Sequence, residues 1–162
     1  MKINLLKSFA KINMALNVTG KVAKLHKIES VVTFVDLHDL ISIKRIDNNK
    51  HKISFNGNFS KNISRNNTVK TLFGILDAQK LLDGKKFQIK IKKNVPQKSG
   101  LGGGSMNAAN ILNFLIRKKI IKIGQKKILK IASLIGSDVI LGINPKSTVL
   151  TSNNIIKKFS RT

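Results

Sequence analysis

A chain of 162 residues with 41% hydrophobic residues can bury one domain-sized core, which excludes wholesale disorder. It contains no cysteine, so disulfides, zinc–thiolate centres and thiol catalysis are excluded as well. Thirty-one basic residues against seven acidic ones give a formal charge of +24, a field that draws polyanions, nucleotide phosphates included.

At the N-terminus, Met1 to Ala10 carries Lys2 and Lys7 but no apolar run long enough for a signal peptide. The most apolar stretch, Ile111 to Ile116, is too short to span a bilayer, so a soluble cytoplasmic protein is the expectation. Ile41 and Ile43 alternate with Ser42 and Lys44, and Ile53 and Phe55 with Lys52 and Ser54. These two strands flank Asp47-Asn48-Asn49, which predicts a hairpin. The polar stretch 56–67 reads as turns. Val69, Leu72, Phe73 and Leu76 then recur with helical period, after Asn67 or Thr68 as a cap and before the Asp83-Gly84 turn.

Phe87, Ile89 and Ile91 return to strand alternation. Ala108, Ile111, Leu112 and Leu115 mark a second helix, and Ile128, Ile131, Ala132 and Ile135 a third, with Gly136 as its stop. Thr148 to Arg161 reads as two short strands around Ser152-Asn153-Asn154. No internal repeat is visible, and the order of elements predicts one α+β domain.

Between the 87–91 strand and the second helix lies Gly100-Leu101-Gly102-Gly103-Gly104-Ser105, preceded by Pro96. Glycines permit positive φ and let an anion reach the bare backbone. The helix start that follows offers unpaired N–H groups and the positive end of its dipole. The dipole contributes about 0.3–1 kcal/mol, and each charge-assisted hydrogen bond about 1.5–3 kcal/mol. Ser105 is placed to cap the helix or to bind a phosphate oxygen. The segment is neither a Walker A motif, lacking Gly-Lys-Ser/Thr, nor a dinucleotide GxGxxG, since Ser105 takes the third glycine position. A glycine turn used only for close packing is the competing reading.

The seven acidic residues sort by setting. Asp47 and Asp83 fall in polar turns, Asp77 on an amphipathic helix, Asp36 and Asp39 beside a strand start, and Glu29 in a strand. Asp138 follows a helix stop and precedes apolar Val139 and Ile140, so partial burial is open to it; a turn or cap aspartate is the alternative.

The run Pro96-Gln97-Lys98-Ser99-Gly100-Leu101-Gly102-Gly103-Gly104-Ser105-Met106-Asn107-Ala108-Ala109 resembles the phosphate loop of the GHMP kinases. Ser8 to Asn13, Leu25 to Ser30, Val35 to Asp39, Asn66 to Val69 and Ile135 to Val139 extend the resemblance over most of the chain. They narrow it to the branch that acts on a cytidine-diphosphate-linked polyol, on the non-mevalonate route to isoprenoid precursors.

The resemblance implies the GHMP kinase N-terminal fold, which is shared with domain 2 of a ribosomal protein (the S5-domain-2-like fold). It implies transfer of the γ-phosphoryl of ATP to a substrate hydroxyl, a reaction that runs on positioning and charge stabilisation. Pro96, Gly100, Leu101, Gly102, Gly103, Gly104 and Ser105 would hold the ATP phosphates. Asp138 would be the catalytic base and Lys11 its catalytic partner, while Asn13 and His26 would bind the substrate, His26 at the cytosine. Mg2+ would arrive with ATP and be held largely by phosphate oxygens, with no protein metal site. Three positions depart from the pattern: Leu25 for a tyrosine, Met106 for a serine and Ile140 for a proline. Family members also carry a C-terminal domain, so residues 1–162 are expected to be the ATP-binding domain alone, truncated after Thr162.

Two other readings stay open beside the kinase. One is a fragment that binds nucleotide without turnover. The other is a basic RNA-binding module of similar fold, disfavoured by the absence of tyrosine and tryptophan and of any pattern interleaving aromatics with basic residues.

Overall fold

The computed structural model describes residues 2–22, 25–151 and 156–158, with backbone but not side chains at 21–22, 25–28 and 156–158. Two long strands open the chain: β1 (Asn4–Val22) and β2 (Leu25–Ile46) pair antiparallel along their whole length. A register irregularity at Phe9/Ala10 leaves Asp36 and Leu37 without Cα partners on β1. Asp36 and Asp39 thus lie inside β2, not beside the start of a strand.

β3 (Lys52–Asn56) follows a turn, but it does not pair with β2 as the expected hairpin would. It runs parallel to β4 (Lys86–Lys92), and β4 sits between β3 and β2. The cause is the helix between them: α1 (Thr68–Ala78) carries the chain back so that β3 and β4 run the same way, as a crossover connection requires. Ile89 and Ile91 of β4 then stand opposite Ile43 and Ile41 of β2 on one side and Ile53 and Phe55 of β3 on the other.

α1 starts where the polar run ends, with Asn67 accepting from the Lys70 N–H as its cap. α2 (Gly103–Arg117) and α3 (Gln125–Ile135) fall where their periodicity places them. Gly136 ends α3 with an extended backbone, its N–H bonded to the Ala132 carbonyl at 3.2 Å, instead of a left-handed cap. A short helix unmarked by sequence period, α4 (Val139–Ile143), begins immediately after Asp138. β5 (Thr148–Leu150) pairs with β2, and β6 (Ile156–Lys158) with β5, so the two closing strands stand; residues 152–155 and 159–162 lie outside the described residues.

One face of the sheet carries the core. Ile41, Ile43, Phe87, Ile89 and Ile91 pack against Leu72 and Leu76 of α1, Ile111, Leu112 and Leu115 of α2, and Ile131 of α3. Burying each such side chain contributes roughly 1.5–3 kcal/mol. Beside this core, His51 is sandwiched near the Phe73 and Phe87 rings, with centroids 4.4 and 6.0 Å away. Its Nδ1 accepts from the Phe87 N–H at 3.0 Å, so the ring proton sits on Nε2, 3.2 Å from Asp77 Oδ2. Burial lowers the His51 pKa below its ordinary 6.5, despite the raising effect of Asp77. Lys86 completes the cluster by donating to the same Asp77 oxygen at 2.8 Å.

Candidate functional site

The glycine run becomes a loop that turns sharply into α2. Gly100 and Gly102 have φ of +75° and +67°, the left-handed region that favours glycine. Gly102 occupies the position before the helix, and the first intrahelical bond runs from the Met106 N–H to the Gly102 carbonyl at 2.8 Å. The N–H groups of Gly103, Gly104 and Ser105 therefore have no partner one turn back. Ser105 does not cap the helix; it is the third helical residue, and no side chain caps α2. The uncapped start leaves those donors for a ligand.

Gly103, Gly104 and Ser105 line a cavity of about 460 Å³. Pro96, Ser99 and Gly100 line it from the loop, Asn67 and Thr68 from the start of α1, and Ser105, Asn107 and Asp138 from beyond. The starts of two helices thus meet at one opening, joined where Thr68 Oγ1 donates to the Gly104 carbonyl at 2.7 Å. Helix starts concentrate positive potential, so the arrangement suits an anion.

Lys11 enters from β1. Its N–H donates to the Leu101 carbonyl at 3.0 Å, and its side chain lies against Gly102, where a Cβ would come within 2.9 Å of Lys11 Cγ. The buried Nζ stands 3.3 Å from Asp138 Oδ2 and donates to Asn13 Oδ1 at 3.2 Å. Asp138 occupies the position before α4 without capping it; its carboxylate turns toward Lys11, and its side chain is 39% exposed. Lys11, Asn13, Asp138 and the loop are therefore one constellation. His26 is not brought into it: its backbone pairs with Lys21, eight positions along β1 from Asn13, and its side chain lies outside the described residues.

Of the three departures, Met106 has a structural account. Its side chain is buried against Val32 and Leu141, and its sulfur lies 3.1 Å from where a Gly142 Cβ would stand. That position faces the core, so the cavity loses no hydroxyl there. Ile140 packs beside Ala109, Ala132 and Val139, while the Leu25 side chain lies outside the described residues.

Sequence reasoning missed a second polar group beneath the loop. Asp39 is fully buried, and its Oδ1 accepts from the backbone N–H groups of Asn94 and Val95, both at 2.8 Å. Its Oδ2 accepts from Lys93 Nζ and, at 2.8 Å, from Asn107 Nδ2. These partners lie 54 to 68 residues from Asp39, so no local pattern joins them; the signal available was a carboxylate inside an apolar strand. Among the described residues no group of three or more His, Cys, Asp or Glu could hold a metal ion, and no helix is long and apolar enough to cross a membrane.

Residues 67–145 match the family of the GHMP kinases N terminal domain. The chain is 60% identical over 154 residues to a 4-diphosphocytidyl-2-C-methyl-D-erythritol kinase of Pelagibacter ubique (strain HTCC1062), covering 95% of the chain and 55% of that relative. It is 35% identical over 134 residues to the protein of the same name from Pseudothermotoga lettingae, covering 82% of the chain and 46% of the relative. A crystal structure of a 4-(cytidine 5'-diphospho)-2C-methyl-D-erythritol kinase superposes with a TM-score of 0.76 at 19% identity, covering 98% of the chain and 56% of that structure. The chain spans about half the length of the curated relatives it matches. The sequence match over residues 67–145, the shared fold and the loop just described all make this chain similar to the N-terminal domain of the GHMP kinases.

Proposed function

We propose that this chain is the ATP-binding portion of a kinase that phosphorylates a hydroxyl of 4-diphosphocytidyl-2-C-methyl-D-erythritol, giving the 2-phosphate in non-mevalonate isoprenoid precursor synthesis. The observation that carries the proposal is the Lys11–Asp138 pair, set 3.3 Å apart beside the uncapped start of α2. The 60% identity to a relative of that name supports the choice of substrate.

The geometry supports the following chemistry. The N–H groups of Gly103, Gly104 and Ser105 hold the oxygens of the ATP phosphates, and the Pro96–Gly102 loop wraps around them. Asp138 takes the proton from the substrate hydroxyl as that oxygen attacks the γ-phosphorus and the bond to the ADP oxygen breaks. Lys11 orients the carboxylate and places a positive charge beside the phosphoryl group as its negative charge redistributes. Asn13 fixes the lysine from the other side and holds the substrate next to it.

Mg2+ fits this cavity as an ion that takes few protein ligands. The oxygens that line it include the partly exposed Asp138 carboxylate and the Ser105 hydroxyl, and the remainder would come from phosphate and water. When bound, it would neutralise charge on the phosphates. His26 remains the residue assigned to the cytosine end by resemblance alone.

The test is ADP release from ATP-Mg with 4-diphosphocytidyl-2-C-methyl-D-erythritol, run beside Asp138→Asn. The variant is expected to lose about 10²–10⁴-fold in rate, the usual share of a general base. Equal turnover by both proteins would sink the base assignment. ATP binding without turnover by either would restrict this chain to nucleotide binding.

A further inference from the structure

Asp39, the one buried carboxylate among the described residues, has an unusual set of partners. Asp39 Oδ1 holds the backbone of Asn94 and Val95, where β4 runs into the phosphate loop. Its Oδ2 holds Asn107, in the second turn of α2, where the loop has ended. A single side chain on β2 therefore ties both feet of the loop, and it does so from below, without lining the cavity itself. Lys93, drawn to the same oxygen, lies under the loop; a Cβ on Gly103 would come within 3.1 Å of its Nζ.

Stability alone is a poor reason for this arrangement. Burying an ion pair costs desolvation that its attraction often fails to offset, and apolar replacements of similar volume are frequently as stable. Asn107 adds a second cost. Its Nδ2 is committed to Asp39, which leaves its buried Oδ1 without a hydrogen-bond partner among the described residues. What the arrangement does supply is direction, because two carboxylate oxygens receive four donors and fix the spacing of the segments that bear them.

We infer that Asp39 is a positioning residue for phosphate binding, a clamp that sets the two ends of the Lys93–Asn107 segment so that the N–H groups of Gly103 to Ser105 converge on one anion. The inference rests on the nucleotide-binding reading above and specifies how the same site is held in shape. A displacement of about 1 Å in such a site can cost up to 10²-fold.

The test measures affinities of the whole chain for ATP, tripolyphosphate and adenosine, in the wild type, Asp39→Asn and Asn107→Leu. Asp39→Asn is expected to weaken ATP and tripolyphosphate by the same factor, tenfold or more, and to leave adenosine unchanged. Asn107→Leu removes the far tie, at a residue that also lines the cavity, and is expected to weaken both phosphates several-fold, again sparing adenosine. It decides the matter if Asp39→Asn fails to fold. Variants with a lower melting temperature but wild-type affinity for tripolyphosphate would make the cluster structural and overturn the clamp. Equal losses for all three ligands would overturn it as well. A wild-type chain that binds neither ATP nor tripolyphosphate would bring down the nucleotide reading itself, a failure seen without any variant.

Discussion

The two halves of β1 share one strand and one partner, yet they live in different surroundings. From Lys7 to Lys11 the strand is held from outside the hairpin: Asn110 donates to the Lys7 carbonyl, the Lys11 N–H reaches Leu101, and Ser8, Ala10 and Lys11 are buried. From Asn13 to Gly20 every residue is exposed, including Met14, Leu16 and Val18 at 65%, 53% and 55%. Opposite Asn13 to Leu16, β2 is also paired with β5 at Ser30 to Val32, so only the stretch beyond Leu16 is a two-stranded ribbon, which has little independent stability. The end of β1 beside the glycine loop is thus braced by tertiary contacts. The end beyond Leu16, which leads toward His26, has only β2 beside it among the described residues.

Substitutions can break this contrast at its strongest point first. Gly102→Ala forces a side chain into positive φ, a cost of about 1–2 kcal/mol. It also drives a Cβ to within 2.9 Å of Lys11 Cγ. The expected outcome is a lower melting temperature together with loss of most ATP affinity. Wild-type affinity would show that the loop is not pre-shaped.

A smaller effect sharpens the braced side through pH. Because burial lowers the His51 pKa below 6.5, the unfolded chain binds a proton that the folded chain resists as pH falls through that value. Stability is therefore full above about pH 6.5 and declines on acidification below it. Asp77 is held below its ordinary 3.8; burial opposes this, but the hydrogen bond from Lys86 and the neighbouring His51 ring prevail. Its contribution is lost only in a more acidic range. The melting temperature is expected to drop between pH 7.5 and 5.5, and His51→Gln to flatten that drop. An equally steep profile in the variant would assign the pH dependence elsewhere.

The smallest effect belongs to the exposed half of β1. Leu16→Ser is expected to change folding stability by no more than about 0.5 kcal/mol, as for other exposed positions. A larger loss in thermal unfolding would mean that Leu16 is covered in solution.

What could be read from the chain divides along similar lines. The three long helices follow from periods of three and four residues, and the loop from its glycines, because those signals are local. Alternation also marks β3 and the Ile41–Lys44 part of β2, but it does not say which strand each pairs with. The turn at Asp47-Asn48-Asn49 satisfies hairpin chemistry, yet β4, some thirty residues later, supplies the better apolar neighbour for both strands. Ser105 has the composition of a cap, and only the position of the first intrahelical bond excludes it. Lys11 and Asp138 were legible through resemblance; in a chain with 31 basic residues, nothing local distinguishes Lys11. Asp39 was passed over because its four donors come from distant segments.

The bond between Lys11 and Leu101, and the ion pair between Lys11 and Asp138, join the second strand residue to be braced with parts of the chain made long afterwards. Contacts of such wide sequence separation form slowly, since loop closure must be met before they return anything. On a ribosome the loop emerges before its carboxylate does. The Lys11–Asp138 pair should therefore close late, and refolding followed through that pair should lag refolding followed by helix content.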